Sequence, residues 1–304
     1  MKLLIAYDGS ACSKIALEDL KYAGLPDKGV EVRILTVGEF GFSPSPALNL
    51  DPNLSILAFT AEQAKELTTS SLEAAEFSAE EGKEIVHTAF PEWEIKREAT
   101  LNSPASGILE AVQEWKPDLI VMGSHGRGRM GRMFLGSVSM RVASEAACSV
   151  RIAKRYPRGG EPVIVLAFDG SEDSRRAVHT LVHRNWPQET LLHIVTVVDS
   201  TLLGSLDYIS FVGKDLYEER KEEESHLEHL IHSLEHEMKK HFRSVTSTLR
   251  IGSPSHEILK EAERLNADTI FLGSRGLSKL ERLLLGSVAH GVSAYAEATV
   301  EIVR

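Results

Sequence analysis

Strand and helix patterns alternate along this chain, and the alternation predicts an α/β protein with parallel sheets covered on both faces by crossover helices. Three observations carry the expectation. Runs such as KLLIAY (2–7) and VIVLAF (163–168) are almost continuously apolar, as strands buried on both faces are. The stretches between such runs carry apolar residues at helical spacing behind Ser or Thr residues that can cap a helix. Finally, the pattern is written twice. KLLIAYDGS (2–10) returns as VIVLAFDGS (163–171), and NSPASGILEAVQEWKPDLIVMGSHG (102–126) returns as GSPSHEILKEAERLNADTIFLGSRG (252–276). Two copies make a tandem duplication and not a solenoid. The expected domains are 1–156 and 161–304, joined through RYPRGGEP (155–162), whose Pro and Gly suit a linker. The first copy is longer, and its extra residues are expected in the Pro-, Ser- and Asn-rich stretch 38–59.

Element by element, the first strand ends at Asp8, and Ser10 caps a helix that buries Ala16, Leu17, Leu20 and Ala23. VEVRILTV (30–37) is the second strand. Thr60 and Gln63 form a capping box opening a helix that runs to about Glu80. Both EIVHTAF (84–90) and EIKREAT (94–100) can supply the third strand, and EIKREAT is preferred. Ser103-Pro104 reads as an N-cap followed by Pro at the first helical position, and Ser253-Pro254 repeats it. DLIVMG (118–123) and SVRIAK (149–154) are the fourth and fifth strands. SVRIAK and its counterpart TVEIVR (299–304) are expected at sheet edges that need cover, so that the halves pack as a pseudo-dimer.

In open α/β sheets ligands bind beyond the carboxyl ends of strands, where strand order reverses. There this chain places GSHGRGRMGRMFLGS (123–137) and GSRGLSKLERLLLGS (273–287). Gly123 and Gly126, with Gly273 and Gly276, let backbone approach a ligand without an intervening Cβ. Gly136 and Ser137, with Gly286 and Ser287, open the next helix, whose unpaired amides attract an anion. Basic residues recur as Arg129 with Lys279 and Arg132 with Arg282. A single such loop would read as a tight turn with solvated arginines; the same spacing written twice points to phosphate. The loop lacks G-K-[ST], so it is not a P-loop, and the first strand lacks a dinucleotide G-x-G-x-x-G. The net charge of −10 argues against nonspecific binding to nucleic acid or an acidic membrane, so the basic loop is a local feature.

These residues resemble the universal stress protein family in tandem form: Asp8 and Asp169 closing the first strands, then GSHG…LGS and GSRG…LGS after the fourth. The resemblance covers both halves. It implies two five-stranded, Rossmann-like parallel sheets in the order 3-2-1-4-5. It implies ATP in each half, with adenine near the backbone of Val37 and Val197. Asp8 and Asp169 would lie by the ribose and adenine, with Met122 and Leu272 at the nucleotide and the glycine-loop residues at the phosphates. Mg2+ would bridge phosphate oxygens. The chain departs from the family where His125 is replaced by Arg275, where Asn102 is replaced by Gly252, and where CSV and ATV stand in place of C-P-V.

Other features are read structurally. Asp8 lacks the neighbouring acidic pair of a phospho-acceptor. His229, His232 and His236 lie opposite the apolar set Leu227, Ile231, Leu234 and Met238, so they face solvent and do not form a metal site. Cys12 and Cys148 make no disulfide framework, and a reducing cytoplasm is the expected compartment. The opening MKLLIAYDGS reads as a strand and not as a signal peptide, because DGS interrupts the apolar run. No base is common to both loops, which favours a nucleotide-binding regulator with at most slow hydrolysis. The alternatives are an ATP-dependent enzyme of the adenine-nucleotide hydrolase-like superfamily and an interaction module with vestigial sites. A homodimer remains open, and no downstream protein partner or stress is legible.

Overall fold

A computed structural model describes residues 1–39, 61–126, 135–199, 213–276 and 285–304. The first half runs β1 (Lys2–Ala6), α1 (Ala11–Asp19), a 3₁₀ turn (Leu20–Tyr22), β2 (Glu31–Gly38), α2 (Ala61–Ala89), β3 (Glu94–Leu101), α3 (Pro104–Trp115), β4 (Leu119–Gly123), α4 (Ser137–Glu145) and β5 (Ser149–Ala153). The second runs β6 (Val163–Ala167), α5 (Glu172–Val182), β7 (Leu191–Asp199), α6 (Gly213–Met238), β8 (Ser244–Gly252), α7 (Pro254–Arg264), β9 (Thr269–Gly273), α8 (Ser287–Tyr295) and β10 (Thr299–Val303). Ser10 caps α1 as expected, its side chain accepting from the Ser13 amide. Ser103 and Ser253 hold extended N-cap backbone with Pro following, but neither side chain makes the cap bond. Thr60 and most of the stretch 38–59 lie outside the described residues.

EIKREAT is the third strand, and α2 runs past Glu80 to take in most of EIVHTAF. The reason is packing. Ala75, Ala79, Gly82 and Val86 continue one buried stripe at helical spacing, and a Cβ at Gly82 would lie 3.0 Å from the Tyr7 ring.

Within each half the strand order is 3-2-1-4-5, all parallel. The two sheets are not separate, however. β5 pairs antiparallel with β10, with Arg151 opposite Glu301, and the result is one ten-stranded sheet. Pairing the two edge strands satisfies backbone groups that an open edge would leave exposed. One face of this sheet carries a single core that crosses the seam, from Leu4, Ile108, Met122 and Val142 to Ile258, Leu272 and Val292, under α3, α4, α7 and α8. On the other face the core divides into a cluster under α1 and α2 and a cluster under α5 and α6.

Between those two clusters the seam is ionic. Arg151 is fully buried; its Nε donates to Asp19 Oδ2 at 2.6 Å and its Nη1 to Glu301 Oε2 at 3.0 Å. Arg184 donates to Glu301 from the other side, with Nη1 also reaching the Ala23 carbonyl at 2.7 Å. Thr269 accepts from Arg151, and Thr299 donates to Asp19. Burial alone would push the Arg151 guanidinium down, but Asp19 and Glu301 outweigh it and hold it above its ordinary value. The halves also cap each other's helices. Lys154 Nζ donates to the Ser293 carbonyl of α8 at 2.7 Å, and Arg304 Nη2 to the Ala143 carbonyl of α4 at 2.6 Å.

Two predictions follow from the seam. Glu301→Ala leaves two buried guanidinium groups short of a carboxylate and should lower stability by about 3–5 kcal/mol in urea titration, since breaking a buried pair strands its partner. Glu18→Ala, which breaks the exposed pair with Lys21, should leave the transition in place. Burial pushes Lys154 down to about 8 from 10.5. The unfolded chain therefore binds more protons between those values, so the cost of burying this cation is full below pH 8 and is relieved as pH rises. Lys154→Met should flatten that rise when urea midpoints are compared at ~pH 7 and ~pH 10.

Candidate functional site

Asp8 follows β1 and folds back on the start of α1. The Ser10 amide donates to Asp8 Oδ1 at 3.0 Å, and the Ser171 amide to Asp169 Oδ1 at 2.9 Å. Gly9 and Gly170, at φ +77 and +76, make the turn possible. The other carboxylate oxygen meets the glycine loop after the fourth strand. A Cβ built at Gly126 would stand 3.1 Å from Asp8 Oδ2, and one at Gly276 2.7 Å from Asp169 Oδ2. Each half thus brings its strand-end aspartate against the second glycine of its loop.

Gly123 and Gly273 also lie against the backbone of the first helix of their half. A Cβ at Gly123 would collide with the Cys12 carbonyl at 2.5 Å, and one at Gly273 with the Asp173 backbone at 2.6 Å. They let the first turn of α1 or α5 lie directly on the end of the fourth strand. Gly136 and Gly286 are the N-caps of α4 and α8, each donating its amide to the Ser124 or Ser274 carbonyl at 2.8 and 2.9 Å. Neither helix has an acidic residue in its first turn, so the amides behind Ser137 and Ser287 carry an uncompensated positive end. Arg129, Arg132, Lys279 and Arg282 lie outside the described residues.

Val37 and Val197 are half-buried near the ends of β2 and β7, and Met122 and Leu272 are buried at the ends of β4 and β9; all four belong to the core that crosses the seam. Thr36 and Thr196 fix these ends by donating to the carbonyls of Tyr7 and Phe168. Because β5 and β10 run antiparallel, the two sets of strand ends open at opposite ends of the sheet.

The halves differ at one place that the motif did not mark. Asp173 occupies the position of Cys12 in the repeat, and it gathers Ser274 Oγ at 2.7 Å and Arg275 Nε at 3.2 Å, with Arg176 alongside. Burial opposes its ionisation, but Ser274 and the charges of Arg176 and Arg275 hold its carboxyl below the usual range. In the first half His125 instead sits 3.1 Å from its neighbour Ser124. The acidic first turn EDS was the available signal. Elsewhere, His229, His232 and His236 are exposed. Burial raises the Cys148 thiol to about 11, which suits a packing role. Among the described residues no helix is long and apolar enough to cross a membrane.

A family model described as the universal stress protein family matches residues 1–154 and again 162–304. The universal stress protein YxiE of Bacillus subtilis is 33% identical over 145 residues, covering 46% of this chain and 97% of that protein. The universal stress protein MJ0531 of Methanocaldococcus jannaschii is 30% identical over 154 residues, covering 51% of this chain and 82% of its own length. The fold is shared by a universal stress protein from Archaeoglobus fulgidus over 100% of this chain and 98% of that one, with a TM-score of 0.67 at 22% identity.

This close packing makes a test. Gly123→Ala forces backbone apart and should lower stability by about 1–3 kcal/mol with or without ligand. Gly126→Ala meets only the end of a carboxylate side chain and should leave the melting temperature of the ligand-free protein nearly unchanged.

Proposed function

The chain belongs to the universal stress protein family, and on that premise we propose that each half holds one adenine nucleotide, with ATP and Mg2+ as the natural occupant, in a regulatory and not a metabolic role. The observation that carries the reading is the repeated juxtaposition of a strand-end aspartate, the second loop glycine and a glycine-capped helix start. The backbone near Val37 and Val197 receives adenine, with Met122 and Leu272 beneath it. Asp8 and Asp169 accept hydroxyl groups of the ribose. Gly126, Gly136 and Ser137, with Gly276, Gly286 and Ser287, present amides and hydroxyls to the phosphates. Gly123 and Gly273 set the distance between the first helix and the loop. Arg129, Arg132, Lys279 and Arg282 supply charge to the phosphates and their bound metal.

No base is common to the two loops, which supports retention of ATP over its turnover. The pairing of Arg275 with Asp173 supports unequal affinity, because the second site carries a cation already partnered by a carboxylate. A cytoplasmic location fits a chain with two unpaired cysteines.

Calorimetric titration of the full chain should give about two ATP sites, with ATP bound more tightly than AMP or adenosine, because phosphates meet helix-terminus amides. At 100 times the dissociation constant each site should add roughly 2.7 kcal/mol of stability. Arg129→Ala with Arg132→Ala should weaken ATP more than adenosine. Hydrolysis should stay far below a typical enzyme turnover of roughly 10 s⁻¹. Equal affinity for adenosine and ATP would remove the phosphate role, and fast ATP hydrolysis would make the protein an enzyme.

A further inference from the structure

The two strands at the seam come from the same position of the repeat, SVRIAK in one half and TVEIVR in the other, so every contact there sets a residue against its own counterpart or near it. A seam built from identical halves would place Arg151 against Arg151 or Glu301 against Glu301. In this chain the central pair is one of each, directly opposite and fully buried.

The differences around that pair are complementary too. Arg184 stands at the position of Ala23, and it is the Ala23 carbonyl that Arg184 reaches across the seam. Trp186 stands at the position of Leu25, and its ring fills the space over Gly24, where a Cβ would lie 2.8 Å from the ring. The Asn185 amide donates to the Gly24 carbonyl at 2.8 Å. Thr269, which accepts from Arg151, stands at the position of Leu119. The second half therefore carries the bulk and the first half the recess.

We propose that the strand-edge surface of each half is built to accept only the other half, and to reject a second copy of itself. Two first halves would bring Arg151 against Arg151, each held only by its own Asp19 and without a Glu301 between them, and would leave the recess at Ala23 and Gly24 unfilled. Two second halves would bring Glu301 against Glu301 and crowd two Arg184 and two Trp186 side chains into one space. Within one half Arg151 has only Asp19 and Glu301 only Arg184, so a like pair loses the Arg151–Glu301 bond across the seam, and a clash or a void adds to that loss. The exclusivity is independent of any nucleotide. It keeps the chain folded on itself, and it restricts exchange with another copy to a swap of first half for second.

The test keeps both halves of the full chain. A protease site inserted between Gly159 and Gly160, which are exposed with open space around them, allows the folded protein to be nicked. The nicked protein is unfolded in urea, refolded and weighed by native mass spectrometry. Mixed first–second pairs should exceed like pairs by more than about tenfold. A statistical mixture of mixed and like pairs, or fragments that stay single, would overturn the proposal. If urea does not return folded fragments, light and isotope-labelled nicked proteins are mixed without unfolding and held until light–heavy mixed pairs appear; like pairs should still be absent. Glu301→Arg, which gives the second half the first half's residue, should lower the preference sharply while the fit of Trp186 over Gly24 still favours mixed pairs, and Glu301→Gln should lower it by a smaller step. An unchanged preference in Glu301→Arg would also overturn it.

Discussion

The buried contact between Arg151 and Glu301 is the constraint on which the arrangement of this protein depends. It lies at the middle of the antiparallel β5–β10 pair, and it turns two five-stranded sheets into one of ten strands. A fully buried guanidinium requires carboxylates and further acceptors in good geometry, and Asp19, Glu301 and Thr269 provide them. Such a network adds less net stability than an apolar core of equal volume would, but removing one partner strands a buried charge. On the opposite face the same seam is apolar, where one core continues across both halves. The seam is thus apolar on one face of the sheet and ionic on the other.

The seam also decides how the two candidate sites relate. Antiparallel pairing sends the strand ends of the halves in opposite directions, so each glycine loop opens on its own end of the molecule. Each site is nonetheless connected to the seam. α4 and α8 begin at the glycine loops, and their C-terminal carbonyls receive Arg304 and Lys154 from the other half. A helix whose positive end faces the anion loop has its negative end answered across the domain boundary.

Two groups of differences between the halves bear on the seam and on the candidate sites. One is the seam, where Arg151, Ala23 and Leu119 are answered by Glu301, Arg184 and Thr269. The other is where the first turn of the first helix meets the glycine loop, with Cys12 answered by Asp173 and His125 by Arg275. The turn at Asp8 and Asp169, the glycine spacing and the threonines that fix the second strand are kept nearly superposable. Similar turn geometry with different local charge is what two related but unequal sites would need.

Strand and helix order, the duplication and the meeting of a strand-end aspartate with the second loop glycine in each half were legible along the chain. Those features rest on local rules: apolar runs, cap residues and glycine spacing act over a few residues and are written in order along the chain. The extent of α2 was less legible, because EIVHTAF suits a strand in isolation and becomes helix only where Val86 and Gly82 meet β1 and β2. The roles of Gly123 and Gly273 were legible as glycine but not as helix–strand spacers, since the clashing backbone belongs to a distant segment. Only the tertiary structure decided that the halves share a sheet, that Arg151 finds Asp19 and Glu301, and that Asp173 anchors Arg275. In each case a charge buried among residues far apart in sequence must take its partner from the packing, and no local pattern announces which partner that is.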